Sequence, residues 1–84
     1  MVETRHSAEY SAFRLTVMAA RKGAGLTQAE LAAKLGKPQS FVSKYEAGER
    51  RLDVVEFLVI AHILGKDPCC LLQEVISNST TPNS

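Results

Sequence analysis

Gly36 separates two short segments that each carry the signals of a helix. Thr27 and Glu30 have the spacing of a capping box, in which each side chain accepts a backbone N–H from the other residue. Apolar residues then recur at helical spacing over about residues 28–35. Because glycine tolerates the left-handed conformation that ends many helices, Gly36 predicts a sharp stop at this point.

A second helix is expected directly after this turn. Pro38 suits the first turn of a helix, where a missing N–H breaks no intrahelical bond, and Gly48 marks the end of a segment covering about 38–47. Val42 and Tyr45 lie three residues apart and are expected to point inward. The opposite, polar face of this helix carries Gln39, Ser40, Ser43 and Lys44.

Two short helices joined by such a turn are typical of a helix-turn-helix, whose second helix enters the major groove of DNA. The segment resembles the phage-repressor/Cro-like family, also called the XRE family, over about residues 13–72. TQAELA at the start of the first helix and SKYEAGER at the end of the second support this. The matching internal positions are Leu31, Ala32, Leu35, Gly36, Val42 and Tyr45. The resemblance implies an all-α, five-helix, lambda-repressor-like DNA-binding domain with its motif at helices 2 and 3.

The resemblance also implies a set of DNA contacts, some of which position the protein while others specify the sequence. Gln28 opens helix 2, where family members bind a phosphate beside free backbone N–H groups. Gln39 and Ser40 open helix 3, where family members reach base edges, and a glutamine pairs bidentately with adenine. The residues expected to bind DNA are Gln28, Lys37, Pro38, Gln39, Ser40, Phe41, Ser43, Lys44, Arg50 and Arg51.

Several of these side chains have alternative roles. Phe41 lies beside the inward-pointing Val42, so it either packs partly against helix 4 or touches a thymine methyl or a sugar. Lys44 reaches either guanine or a phosphate. The flanking residues Arg50 and Arg51 are expected to bind the DNA backbone with Lys37. An ordinary solvated surface explains loop arginines equally well. The same alternative would also explain the polar face of helix 3.

An internal ion pair is a further implication of the resemblance. The family places an Arg near the end of helix 1 opposite a Glu near the end of helix 3, and Arg21 and Glu46 occupy these positions. Glu46 would then neutralise Arg21 rather than repel DNA. Removing one partner of such a pair would leave the other charge buried and uncompensated.

The charge distribution supports a nucleic-acid partner more than the net charge of +1 does. Residues 14–51 contain eight basic and three acidic side chains, whereas residues 1–13 carry a net charge of −1 and residues 52–84 carry −3. The basic excess therefore surrounds the predicted motif, as phosphate contact on one side of a domain requires.

The 84 residues suit one small domain, with helix 1 over about 8–22 capped by Ser7 and helix 4 over about 54–64 capped by Asp53. Helix 4 is apolar on so many sides that we expect it to be the buried centre of the fold. Helix 5 is expected from Asp67 and Pro68 to about Ile76. The predicted organisation is a flexible N-terminus at 1–6, the DNA-binding domain at 7–76, and a disordered tail at 77–84.

One such domain contacts about half of an operator, so a homodimer on a two-fold DNA site is expected. Helix 5 is the candidate dimer surface because its apolar residues exceed what a small core requires, although the same residues could simply cover the core. These residues are Cys69, Leu71, Leu72, Val75 and Ile76.

An enzyme is the main alternative class, and the sequence offers little for it. His6 is expected in the flexible N-terminus and His62 in a buried helix, and neither has a carboxylate or nucleophile at a suggestive spacing. Cys69 and Cys70 are adjacent, which fits neither a zinc site nor a C-x-x-C redox motif. One is expected in the core and the other near the surface or an interface. We therefore expect a non-enzymatic protein without a cofactor, a metal or a small-molecule effector.

A protein-interaction module, either an antitoxin or a co-regulator, is the second alternative, since the same fold serves several functions. The chain has no run of about 20 apolar residues and no secretion signal at its start, so no membrane contact and a cytoplasmic location are expected. The preferred hypothesis is a sequence-specific DNA-binding transcriptional regulator, a repressor or an activator.

Overall fold

The computed structural model describes the backbone of residues 2–79 and the side chains of residues 8–79. These residues form helices and no strand, which confirms the all-α fold. The helices are α1 (Val2–Gly23), α2 (Gln28–Leu35), α3 (Gln39–Ala47), α4 (Val54–Leu64) and α5 (Pro68–Ser79).

The first and last helices are longer than predicted. α1 begins at Val2 instead of residue 8, so Ser7 lies inside the helix and is not its cap. Residues 2–7 contain neither Pro nor Gly, and nothing in this stretch forces the helix to end. α5 continues to Ser79, which makes residues 77–79 of the predicted tail helical. Met1 and residues 80–84 lie outside the described residues.

The local signals around α2 and α3 act as predicted. Thr27 and Glu30 form both bonds of the capping box, with backbone N to side-chain O distances of 3.0 and 2.8 Å. Gly36 ends α2 with φ of 70°, in the left-handed region that side chains with a Cβ rarely adopt. Pro38 is the N-cap of α3 rather than part of its first turn, because its extended ψ of 157° places it just outside the helix.

The core is a continuous apolar cluster to which every helix contributes, α1 packing against α5 and α2 against α3. Val42 and Tyr45 of α3 are fully buried in it, as their spacing predicted. Its members are Val17, Ala20, Leu31, Ala32, Val42, Tyr45, Phe57, Ile60, Ala61, Leu64 and Leu71. The buried side of α3 thus anchors the helix and leaves its opposite side free.

The prediction that α4 is buried on all sides is wrong. Only one side enters the core, through Phe57, Ile60, Ala61 and Leu64. Val54 and Val55 are 73% and 68% exposed, and Leu58 and Val59 are about half exposed. His62 is also exposed, contrary to expectation. A domain of this size has too few helices to surround one of them, so α4 keeps an apolar surface in solvent.

The predicted assignment of α5 residues to the core and to the surface also needs correction. Leu71 is only 2% exposed and packs in the core, so it cannot form a dimer surface. Cys69 and Cys70 are both exposed free thiols, whereas one was expected in the core. They lie in the first turn of α5, before the helix reaches the core at Leu71. Leu72 and Ile76 remain on the exposed side, and Val75 is half-buried.

Candidate nucleic-acid interface

The outward face of α3 is polar and accessible. Gln39, Ser40 and Lys44 are exposed, and Ser43 is half-buried. The hydroxyl of Ser43 donates to the carbonyl oxygen of Ser40 at 3.3 Å, so it is partly engaged by its own helix. The face therefore offers the groups of one amide, two hydroxyls and one ammonium, all of which form hydrogen bonds.

A buried ion pair holds the end of α3 against α1. Arg21 donates from Nε to Glu46 Oε2 at 2.7 Å and from Nη2 to Glu46 Oε1 at 3.0 Å. Its Nη1 donates to the carbonyl oxygen of Leu26 at 2.8 Å, so the guanidinium is well satisfied despite its burial. The bond to Glu46 raises the pKa of Arg21. The pair implied by the family resemblance is thus present, and Glu46 is neutralised inside the fold.

Gln28 forms a hydrogen bond with the same ion pair. Its Nε2 donates to Glu46 Oε1 at 2.9 Å, which engages one of the two amide protons. The half-buried Gln28 is therefore linked to the end of α3, a contact that sequence reasoning did not predict. A phosphate contact from its second amide proton or from the backbone stays a prediction.

Arg14 also supports α3, and sequence reasoning missed it. Its Nη1 donates to the carbonyl oxygen of Glu46 at 2.8 Å, where the helix leaves its last carbonyls unpaired. Gly48 makes room for this side chain, because an added Cβ would lie 3.3 Å from Arg14 Nε. The available signal was the spacing of Arg14 and Arg21, which are seven residues apart and therefore share one face of α1.

Phe41 packs partly against the protein, which is the first of its two alternatives. It is half-buried, and its ring meets Tyr45 edge-on with centroids 5.6 Å apart. It lines a groove between the helix-turn-helix and α4, with Val55 and Val59 on the other side. The burial of Tyr45 raises the pKa of its hydroxyl, so that residue stays neutral behind the α3 surface.

The flanking cations are placed on aromatic rings. Lys37 Nζ lies 5.4 Å from the centroid of the Phe41 ring, and Arg50 Cζ lies 4.7 Å from the same centroid. Arg51 Cζ is 4.2 Å from the centroid of Tyr10, whose hydroxyl accepts the backbone N–H of Leu52 at 3.0 Å. These cation–π contacts orient all three side chains. Tyr10 is a second residue that sequence reasoning missed.

Arg50 also forms an ion pair on the surface. Its Nη1 and Nη2 donate to Glu56 Oε1 and Oε2 at 2.9 and 2.8 Å. The bond from Arg50 and a backbone N–H from Asp53 lower the pKa of Glu56 to about 2. Glu56 therefore stays charged at neutral pH. This pair links the loop after α3 to the first turn of α4.

The described part of the chain meets the requirements of neither a metal site nor a membrane-spanning helix. No set of three or more His, Cys, Asp or Glu side chains in this part of the chain could hold a metal ion. None of the helices between residues 2 and 79 has the length and apolar character needed to span a bilayer.

α3 has a polar outer face, packs against α2 and is flanked by oriented cations. These are the features of the helix-turn-helix class of DNA-binding proteins. The helix-turn-helix family model matches residues 17–69. The chain is also similar to a solved structure of an XRE-family like protein from Pseudomonas syringae pv. tomato str. DC3000, with 50% identity and a TM-score of 0.84 over 90% of this chain and 93% of that one. The chain belongs to the XRE-type helix-turn-helix family. No curated protein sequence matches it.

Proposed function

We propose that the protein is a sequence-specific transcriptional regulator that inserts α3 into the major groove of a two-fold operator as a homodimer. The exposed polar face of α3 is the observation that carries this proposal, because the side chains of Gln39, Ser40 and Lys44 all lie in solvent. The amide of Gln39 would pair with adenine, and the hydroxyls of Ser40 and Ser43 would bind neighbouring base edges.

Phosphate contacts would surround this helix. Lys37 and Arg50 flank its two ends, and Arg51 lies in the following loop. Pro38 borders the turn, and Gln28 lies at the start of α2. The basic excess of residues 14–51 would attract the DNA backbone to this side. The proposed location of such a protein is the cytoplasm.

The dimer surface is proposed on the exposed sides of α5 and α4 together. Leu72 lines an apolar groove with Val54 and Leu58 of α4, and Ile76 is 60% exposed one turn further along α5. Val75 and Cys69 border this surface. Contiguous exposed apolar area of this kind marks an interface more often than scattered single residues do.

A salt titration of binding to duplex DNA tests the proposed function. The affinity should fall steeply between about 50 and 200 mM salt, because every phosphate contact displaces counterions. Gln39→Ala should weaken binding to a preferred sequence by about 1–3 kcal/mol, whereas Asn78→Ala, an exposed amide truncation near the end of α5, should have no effect. No binding to any duplex at about 50 mM salt would contradict the proposal.

The exposed α4 also favours a second candidate function. An antitoxin or co-regulator would hold a partner protein on Val54, Val55, Leu58 and Val59. This function predicts a stable complex with a protein and no salt-dependent DNA affinity, so the same titration separates the two candidates.

A further inference from the structure

Arg50, Glu56, Phe41 and Lys37 form a cluster between α3 and α4, here called the Arg50 cluster. We propose that Glu56 and Phe41 are positioning residues that hold Arg50 so that its unused edge grips a DNA backbone phosphate. This inference rests on the proposed DNA-binding function and extends it to two residues that would touch no DNA base.

The hydrogen-bond pattern shows which edge of Arg50 is unused. A guanidinium has five N–H protons, and both protons of Nη1 are taken, one by Arg51 carbonyl oxygen and one by Glu56 Oε1. One proton of Nη2 is taken by Glu56 Oε2. Nε and the second proton of Nη2 have no acceptor among residues 8–79.

These two remaining protons form one complete binding edge. Arg21 uses the same edge, Nε with Nη2, to hold both oxygens of Glu46 inside the core. On Arg50 this edge is open, and the side chain lies on the exposed surface just after α3. Two parallel N–H groups match two oxygens of a phosphate, which makes the edge suited to bidentate phosphate binding.

Glu56 is well placed to orient Arg50 because it is itself fixed. It is the third residue of α4 and accepts the backbone N–H of Asp53 at 3.0 Å, while Asp53 accepts the N–H of Glu56 at 2.7 Å. This capping box anchors the carboxylate to the start of a helix. Arg50 is thus held from one side by α4.

Phe41 holds the cluster from the side of α3. The Arg50 guanidinium lies 4.7 Å from the ring centroid, and Lys37 Nζ lies 5.4 Å from it. Lys37 precedes α3 and Arg50 follows it, so a single ring supports one cation near each end of the helix. Phe41 would therefore fix the spacing of two phosphate contacts without reading a base.

Neutralising Glu56 changes the DNA affinity in opposite directions if the residue positions Arg50 and if it acts only through its charge. Glu56 is an acid close to the proposed DNA surface, so a role limited to its charge would weaken DNA binding, and its neutralisation would tighten binding. If Glu56 positions Arg50, its neutralisation should weaken binding even though a repulsive charge is lost.

Glu56→Gln is the decisive variant, because Gln keeps the size of the side chain and still suits the capping box. The probe is a duplex of arbitrary sequence and roughly 21 base pairs, or two helical turns, at about 50 mM salt, since phosphate contacts do not depend on sequence. We expect fluorescence anisotropy to show binding weakened by roughly 3- to 10-fold. The matched control Glu49→Gln, an exposed acid one residue before Arg50, should bind as tightly as the unchanged protein or more tightly.

Two further variants keep the test decisive if Glu56→Gln folds poorly in thermal melts. Arg50→Lys keeps the charge without the fork, and Phe41→Leu keeps the apolar packing without the ring face. Both should weaken binding. The double variant Arg50→Lys, Glu56→Gln should bind no more weakly than Arg50→Lys alone.

Unchanged or tighter binding by folded Glu56→Gln, or unchanged binding by Arg50→Lys and Phe41→Leu, would overturn this inference alone. Failure of the unchanged protein to bind would overturn the proposed function instead.

Discussion

Truncation of Glu46 to alanine is the perturbation that tests the internal architecture of the domain most severely. Glu46 is 3% exposed and accepts hydrogen bonds from Arg21 Nε, Arg21 Nη2 and Gln28 Nε2. Alanine removes all three acceptor contacts at once. It leaves the Arg21 guanidinium buried with only the Leu26 carbonyl as a partner.

The expected cost is large for a domain of this size. Breaking a buried ion pair by removing one partner destabilises a protein by about 3–5 kcal/mol. At about 0.05–0.15 kcal/mol per residue, 84 residues have a total stability of roughly 4–13 kcal/mol. Since about 1 kcal/mol shifts the Tm of such a domain by about 4–8 °C, the variant should melt at least about 12 °C lower. Arg14 still binds the backbone carbonyl of residue 46, so the end of α3 keeps one support.

Thermal and urea denaturation followed by circular dichroism measure this effect. Glu49→Ala, an exposed acid three residues further on, is the control and should change stability by no more than about 0.5 kcal/mol. The double variant Arg21→Met, Glu46→Leu should recover most of the loss, because no buried charge is left without a partner. A Tm for Glu46→Ala within about 3 °C of the unchanged protein would refute this reasoning.

Three further predictions concern pH, packing and assembly. The lowered pKa of Glu56, about 2, means that its pair with Arg50 contributes stability above about pH 4.5 that is lost as the pH falls toward 2. The free energy of unfolding in urea should therefore fall less between about pH 5 and pH 3 for Glu56→Gln than for the unchanged protein. An equal fall in both proteins would contradict this. The buried Tyr45 hydroxyl has no hydrogen-bond partner among residues 8–79, so Tyr45→Phe should leave stability unchanged or raise it by about 1 kcal/mol. A clear loss of stability in urea melts would argue against an unpartnered hydroxyl at this position. Leu72→Glu with Ile76→Glu should convert the proposed dimer to a folded monomer in light scattering, whereas the exposed Asn78→Glu should not. A folded double variant that stays dimeric would exclude this surface.

Local chemistry explains why the helix-turn-helix could be predicted from sequence. The capping box at Thr27, the stop at Gly36 and the stop at Gly48 each depend on residues within a few positions of one another. Such signals act before any long-range packing is known. The bounds of α2 and α4 were predicted in full for this reason. The start of α1 was not, because a possible cap at Ser7 does not oblige a helix to begin there.

Long-range placement explains what the sequence left open. The apolar composition of α4 shows that the helix is hydrophobic but not how many neighbours surround it, so the exposure of Val54 and Val55 was unexpected. Leu71 and Leu72 are adjacent and equally apolar, and only the direction of α5 places one in the core and the other outside. The pairing of Arg50 with Glu56 spans a loop, whose course the sequence pattern does not describe.

Selection of bound fragments from random duplex DNA tests the central claim most directly. A protein that reads bases with α3 should enrich a two-fold sequence whose half-sites lie about one helical turn apart, roughly 10 base pairs. Gln39→Ala should then lose the preference at one symmetric pair of positions while keeping the spacing, because the spacing depends on the dimer. Recovered fragments without any shared sequence, or the same sequence recovered with Gln39→Ala, would contradict base recognition by the exposed face of α3.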